Sequence, residues 1–419
     1  MNTTPTATRA RSTRAALCSA VVGCSTVRSP GAVRVDQPGA ESIRHSLSGV
    51  VPYLVKPIRQ HRRTEGAVRQ RARLEDVAAR AGVSPSTASV ALSGAGRVAA
   101  ATRARVQAAA AELGYSPDPV AASLRSGRSG VVGAVVGERL LYAFRDPVAV
   151  QLLDGLTEEL SRLDVGLLLL AGDAMRSGPS PAQLSRLPLD AAVFATCGLE
   201  DDPAFTLLQA RGVPLVAVEG PVAAGVPLIA IDDERGSAEL ARHLQRLGHA
   251  RVVVVTLPMR LDGRRGPVDA ERLARGVYRD ARRRLVGLRS VLPGAPAVEA
   301  AGNSVEEGEA AARLVLDVPA ADRPTALVAQ SDVLAAGALR AAADLGLQVP
   351  GDLSVAGFDG ADLPWLAPVR LTTVVQPTAA KGRAAGHAVA ELLAGRTPAD
   401  VELPVELRPG TTTGPVPPG

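Results

Sequence analysis

Apolar positions recur along this chain in two rhythms, and the change of rhythm divides it. Between Leu74 and Leu113 they come at helical spacing. Val77, Ala78 and Ala81 share one face of a short helix, Leu74–Ala81. Gly82 ends it, because glycine accepts the backbone angles of a tight corner. Ser84 as N-cap and Pro85 at the first helical position predict a second helix running to Ser93. A third helix, Thr102–Leu113, turns Val106, Ala109, Ala110 and Leu113 inward and stops at Gly114. Two short helices joined at a glycine turn and braced by a third describe an all-α helix-turn-helix domain. Beyond the turn Tyr115–Asp118, Pro119–Arg125 reads as one more short helix of small residues with a single large one, Leu124.

From Gly130 onward, near-continuous apolar runs alternate with amphipathic stretches. The first set of strands is Val131–Val136, Gly166–Leu170, Ala191–Ala195, Pro214–Val218 and Leu228–Ile231, with helices at Val148–Leu163, Ala182–Arg186 and Pro203–Gln209. The second set is Val252–Thr256, Ala297–Ala300, Ala326–Val328, Ser354–Phe358 and Thr372–Val375. Its helices are Arg235–Leu247, Glu271–Val286, Val305–Leu316, Asp332–Leu345 and Thr378–Ala394. Uninterrupted apolar strands separated by helices predict parallel sheets covered on both faces. The fold class expected is therefore a helix-turn-helix domain followed by a two-lobed α/β domain of two doubly wound parallel sheets. Such lobes bind ligand in the cleft that faces the C-terminal ends of their strands. Crossings between lobes are expected near Asp232–Gly236, near Phe358–Leu371 and in the last helix. Ala399–Leu407 offers one more strand, and 409–419 reads as a flexible tail without the leucine heptad of a coiled coil.

The first seventy residues hold no sustained period and are rich in Thr, Arg, Pro and Gly, the pattern of a disordered extension or of a start assigned too far upstream. Arg9, Arg11 and Arg14 precede an apolar stretch, Ala15–Gly23, and Val21–Cys24 has the look of a lipoprotein cleavage box. The stretch is at the short limit for an export signal, and a DNA-binding segment follows it. A cytoplasmic location is expected instead. No run approaches the ~18 apolar residues of a membrane span.

Charge sharpens the division. Residues 1–128 carry 19 Lys+Arg against 7 Asp+Glu, a net of +12, so the remaining 28 basic and 35 acidic residues give the body −7. A basic front on an acidic body suits one end that meets a polyanion while the rest binds something else. Cys18, Cys24 and Cys197 show no paired spacing, as in a reducing compartment. No catalytic set, cofactor fingerprint or metal-ligand spacing is legible: the five histidines are scattered, and Gly263–Gly266 lacks the Lys-Ser/Thr of a phosphate loop.

The motifs DVAARAGVS, LGYSPDPVAASLR, LGHARVVVV, VPGDLSVAGFD and LTTVVQP resemble those of the LacI/GalR family of bacterial transcriptional regulators, from Leu74 to about Leu407. The resemblance implies a homodimeric, ligand-responsive repressor that binds double-stranded operator DNA. Its parts would be a DNA-binding domain at 71–117, a hinge at 118–129, and a periplasmic-binding-protein-like domain at 130–408. The first lobe would span about 130–232 and the second about 233–375, the last helix crossing back. An exported solute-binding protein of the same two-lobed fold, and a constitutive DNA binder with a vestigial cleft, are the alternatives.

For DNA, Ser84, Thr87, Ser89 and Thr102 are expected at phosphates, with Pro85, Ser86 and Val90 turned to the bases. Those three offer one hydroxyl and apolar contact suited to a thymine methyl. In the hinge, the resemblance places Ala121, Ala122 and Leu124 in the minor groove and Arg125 near phosphate. For the effector, it implies Tyr142, Phe144, Asp146, Asp232, Asp233, Ser331, Asp332 and Asp359 around the cleft. An arginine in an Arg-x-x-Gly-aromatic pattern is also expected; Glu271–Val277 shifts that pattern by one, which favours Arg272 and leaves Arg275 open. Carboxylates and an arginine around a cleft suit a small polyhydroxylated, sugar-like molecule.

Overall fold

The computed structural model describes residues 72–417 except 95, 119–122, 124–126, 138–139, 173–177, 196–198 and 200–201. The expectation for the first seventy residues, and those for Ala121, Ala122, Leu124 and Arg125 of the hinge, lie outside the described residues.

The N-terminal domain consists of α1 (Leu74–Ala81), α2 (Pro85–Ser93) and α3 (Ala100–Leu113). Val77 and Ala78 from α1, Ala88 and Ala91 from α2, and Val106, Ala109 and Ala110 from α3 form its core. Small side chains let the three helices approach closely, and Arg80 pairs with Glu112 at 2.7 Å across α1 and α3. Gly82, at φ 65°, makes the corner between α1 and α2, a left-handed conformation that glycine adopts at least cost.

The first lobe holds β1 (Val131–Val136), β2 (Gly166–Ala171), β3 (Ala191–Phe194), β4 (Leu215–Val218), β5 (Leu228–Ile231) and a late arrival, β12 (Val401–Leu403). They lie in the order β12-β5-β4-β3-β1-β2, all parallel. Helices α4 (Leu140–Ala143), α5 (Pro147–Leu160), α6 (Pro181–Leu184) and α7 (Pro203–Ala210) connect them. The second lobe holds β6 (Val252–Thr256), β7 (Gly266–Pro267), β8 (Ala297–Glu299), β9 (Ala326–Ala329), β10 (Ser354–Asp359), β11 (Thr372–Val375) and β13 (Glu406–Arg408), in the order β13-β11-β10-β9-β6-β8-β7. Its helices are α8 (Asp233–Arg246), α9 (Ala270–Ala274), α10 (Arg279–Val291), α11 (Val305–Leu316) and α12 (Asp332–Asp344), while α13 (Thr378–Leu393) returns to pack on α5. Apolar clusters cover both faces of each sheet, so the uninterrupted strand pattern is that of strands with no solvent side. In both lobes the strand order reverses beside the first strand, β1 or β6, which puts a ligand crevice at the C-terminal strand ends there.

Four expectations need correction. The helix foreseen at Glu271–Val286 is two, because Arg275 and Gly276 end α9 and the chain turns before α10 starts at Arg279. The second sheet is not wholly parallel: β7 and β13 pair antiparallel at its edges. The second crossing falls after β11, at Gln376-Pro377, since the 360–371 segment returns to pair β11 beside β10. The third falls at Pro404-Val405, which splits the single strand foreseen at Ala399–Leu407 into β12 in one sheet and β13 in the other.

The tail also departs from expectation. Residues 409–417 strap the far side of the second lobe. The Val355 amide donates to the Thr412 carbonyl at 2.8 Å, and the Thr372 amide to the Thr412 hydroxyl at 2.9 Å. His249 Nε2 meets the Gly414 carbonyl, and His243 Nε2 the Thr413 hydroxyl, each at 3.0 Å. Unpaired amides at the N-terminal ends of β10 and β11 are thereby satisfied by the tail, not by water.

Candidate effector cleft and DNA-reading helix

At the DNA-reading end, Ser84 caps α2 by accepting the Thr87 amide at 3.1 Å. Its hydroxyl also lies 2.8 Å from the hydroxyls of both Ser86 and Thr87, so three exposed hydroxyls form one cluster at the helix start. Pro85 sits exposed at the first helical position. Ser89 lies half-buried on α2. Val90 is half-buried too, packed against the loop at Gly96, where a Cβ would lie 3.0 Å from its methyl. Thr102 stands inside the first turn of α3, which begins two residues earlier than expected. Beyond the hinge, Asp190 holds the Ser129 and Gly130 amides at 2.7 and 2.8 Å, tying the linker's end to the base of the first lobe.

Between the lobes, a buried polar network forms where the strands end. Arg284, projecting from α10 and only 5% exposed, is its centre. Its Nε donates to Asp233 Oδ1 at 2.8 Å, and its Nη1 to the Gln330 carbonyl at 2.6 Å and to Asp359 Oδ1 at 3.4 Å. The guanidinium lies 3.8 Å from the centre of the Phe358 ring. Gln376 Nε2 donates to Asp359 Oδ1 at 2.7 Å. Asp146 caps α5, accepting the Val148 amide at 2.9 Å, and its charge is felt by Asp359. Asp359 itself has φ 124°, a strained value for a residue with a side chain, at the end of β10.

Electrostatics here follow from too many carboxylates in too little water. Burial raises Asp359 well above the ordinary carboxylate range, with Asp332 and Asp146 adding repulsion and Arg284 opposing it. Burial likewise lifts Asp233 to about 6, helped by Glu219 and Asp280 against the pull of Arg284. Burial also raises Asp146. For Arg284, burial alone would lower the pKa, but Asp233, Asp359 and Asp280 outweigh it and the shift is upward. A carboxylate cluster of this kind wants donors, which hydroxyl groups supply.

Of the residues expected around the effector, the fold brings Asp233 and Asp359 together on Arg284 and leaves Asp146 within reach of its field. Others are engaged elsewhere. Both oxygens of Asp332 are taken, by the Thr373 hydroxyl at 2.6 Å and the Ala361 amide at 2.7 Å, so it braces the β10–β11 connection. Ser331 caps α12 and donates to Asn303 at 2.6 Å. Asp232 caps α8 and lies 3.7 Å from Arg283. Arg272 is held by Asp262 at 2.6 Å and Glu299 at 2.9 Å, while Arg275 pairs with Glu271 on the surface. Phe144 is 57% exposed, and the side chain of Tyr142 lies outside the described residues.

The arginine at the network's centre is thus neither of the two expected. Its signal was present: Arg284-Leu285-Val286-Gly287-Leu288 keeps the Arg-x-x-Gly spacing, with leucine where an aromatic residue was sought. Gly287 is required because a Cβ there would come within 2.2 Å of the Glu234 carbonyl, where α10 crosses α8. Gln376 lies in the LTTVVQP motif but had no role assigned to it; Glu219 and Lys381 carried no signal of their own, since they acquire their place in the network only where the lobes meet.

Comparison with known proteins completes the picture. Residues 73–118 match the model of bacterial regulatory proteins of the lacI family, and residues 241–413 a periplasmic binding protein-like domain. An HTH-type transcriptional regulator of Mycobacterium tuberculosis is 35% identical over 357 residues, 83% of this chain and 98% of its own. The regulator MalR of Streptomyces coelicolor is 34% identical over 78% of this chain and 91% of its own length. Among solved structures, the Lac repressor dimer bound to operator and an anti-inducer superposes with a TM-score of 0.67 at 26% identity, covering 82% of this chain and all of that one. The CelR–cellobiose complex does so at 0.57 and 26%, covering 82% of this chain and 100% of its own. These relatives do not support the solute-binding alternative. Three helices at the front, two doubly wound lobes behind and full-length regulators as relatives place this chain in the LacI family of bacterial regulatory proteins.

Proposed function

We propose that the chain is a cytoplasmic, homodimeric repressor whose operator affinity is set by a polyhydroxylated effector held between the lobes. The observation that carries this reading is Arg284, bound at once to Asp233 and Asp359 at the lobe junction. It offers donors and acceptors at fixed positions in a desolvated cleft, and a regulator of similar fold holds cellobiose. Residues 118–129 act as the hinge: an isolated helix this short is unstable, so it forms where two copies meet in the minor groove, with Leu124 as wedge. Effector binding favours one lobe arrangement over another and, through the linker tied at Asp190, shifts the hinge between ordered and melted. Direct base reading is slight, because the early face of α2 presents hydroxyls and apolar groups and no amide or guanidinium.

The test sequences DNA fragments captured by the purified protein, then measures operator affinity at fixed salt with and without neutral sugars, cellobiose first. Asp359→Ala should weaken the responding sugar ten- to a hundredfold, about 1.5–3 kcal/mol for a charge-assisted hydrogen bond, read as the sugar concentration that half-changes operator binding. Unchanged response in that variant would move the effector site away from Arg284.

A further inference from the structure

The cleft network does not stop at Asp359. Gln376 lies in the crossing between β11 and α13; its Nε2 donates to Asp359 in the second lobe, and its Oε1 accepts from Lys381 Nζ in the first. Lys381, on the first turn of α13 and 3% exposed, pairs in turn with Glu219 Oε1 at 2.9 Å. Glu219 directly follows β4 and is 6% exposed. A single chain of partners thus runs Glu219, Lys381, Gln376, Asp359, Arg284, Asp233, alternating acceptor and donor from one lobe into the other. Its two carboxylates at strand ends, Glu219 with φ 63° and Asp359 with φ 124°, are the only non-glycine residues with positive φ among those described.

The alternation has a cause. An amide side chain can present either its oxygen or its nitrogen to a neighbour, but lysine only donates. Lys381 therefore obliges Gln376 to show it oxygen, which leaves the NH2 for Asp359. With an apolar side chain at 381 the amide would be held from the Asp359 side alone, and its oxygen would lose the donor that ties it to the first lobe. Glu219 makes the arrangement tolerable, because an ammonium this deep needs an anion beside it.

We propose that Lys381 is a positioning residue: it fixes the polarity of the Gln376 bridge and so locks the two lobes, without ligand, in the arrangement described. This concerns the lobes themselves and stands whatever the effector is.

The test needs no ligand. Spin labels at Gln209→Cys in the first lobe and Leu314→Cys in the second, with Cys18, Cys24 and Cys197 replaced by serine, report the interlobe distance in the full chain. Labelled protein is diluted with unlabelled so that pairs within one chain dominate. Glu219→Gln/Lys381→Met removes the ion pair as a unit, so that neither member is left as a lone buried charge. Its distance distribution should move and broaden, and Gln376→Leu, which cuts the same bridge, should give the same distribution. Leu208→Ala, a core truncation in the first lobe, should lower thermal stability and leave the distribution alone. A wild-type distribution in the double variant overturns the proposal whatever its melting temperature. If that variant does not fold, a wild-type distribution in Gln376→Leu does so.

Discussion

Asp332 is buried with no cation hydrogen-bonded to it: the Thr373 hydroxyl and the Ala361 and Gly360 amides answer its charge, and Arg408 acts on it through the field alone. Burial lifts its pKa to about 7 from an ordinary 3.8. The folded protein therefore binds a proton that the unfolded chain releases, and stability declines as pH rises from about 4 towards 7. His243 and His249, lowered chiefly by burial, act in the opposite sense: the unfolded chain takes their protons first as pH falls through about 6.5. The difference between Asp332→Asn and wild type isolates the first effect. Thermal melts at pH 5 and pH 8 should show the variant gaining relative stability at the higher pH, and parallel pH curves would show that Asp332 is not the group that titrates. This residue also marks the limit of what single positions disclose. Its motif was legible, but whether its carboxylate faces a ligand or a neighbouring loop depends on Thr373 and Ala361, which are distant or unremarkable in sequence. Arg284 was hidden for a simpler reason. Its neighbours are other arginines at 282 and 283, and only the clearance at Gly287 singles it out.

At the scale of elements, most helices and strands were readable because caps and apolar runs are local events. Ser84-Pro85 opening α2 and Gly114 closing α3 needed no partner to be recognised. The errors came where an element depends on another: β12 and β13 are each three residues long and exist by pairing with β5 and β11. The start of α2 carries two duties in one side chain, a cap for the helix and the hub of the hydroxyl cluster. Ser84→Ala should cost the helix about 1 kcal/mol and loosen Ser86 and Thr87 together. Ser86→Ala should leave the cap intact. Amide exchange across 85–90, read beside operator affinity, separates them: equal exchange in the two variants would show that the cap is not what orders α2.

For the whole molecule, the strap at 409–417 is expected to be structural. A chain ending at Arg408 loses the Thr412 bonds to Val355 and Thr372, the His243 bond to Thr413 and the His249 bond to Gly414. At about 1 kcal/mol for each buried hydrogen bond, roughly 3–4 kcal/mol should go, visible as a lower midpoint in urea unfolding. An unchanged midpoint would return the tail to a passive role. The threefold crossing adds a consequence for how the protein is made. The first sheet is finished only by Val401–Leu403 and the second only by Glu406–Arg408. A product interrupted before Val401 lacks an edge strand in each sheet, and the apolar clusters that Val401, Leu403, Val405 and Leu407 pack against stay uncovered there. Quality control in the cell would then tell full-length chains, covered at both edges, from fragments with apolar sheet edges that proteases can grip.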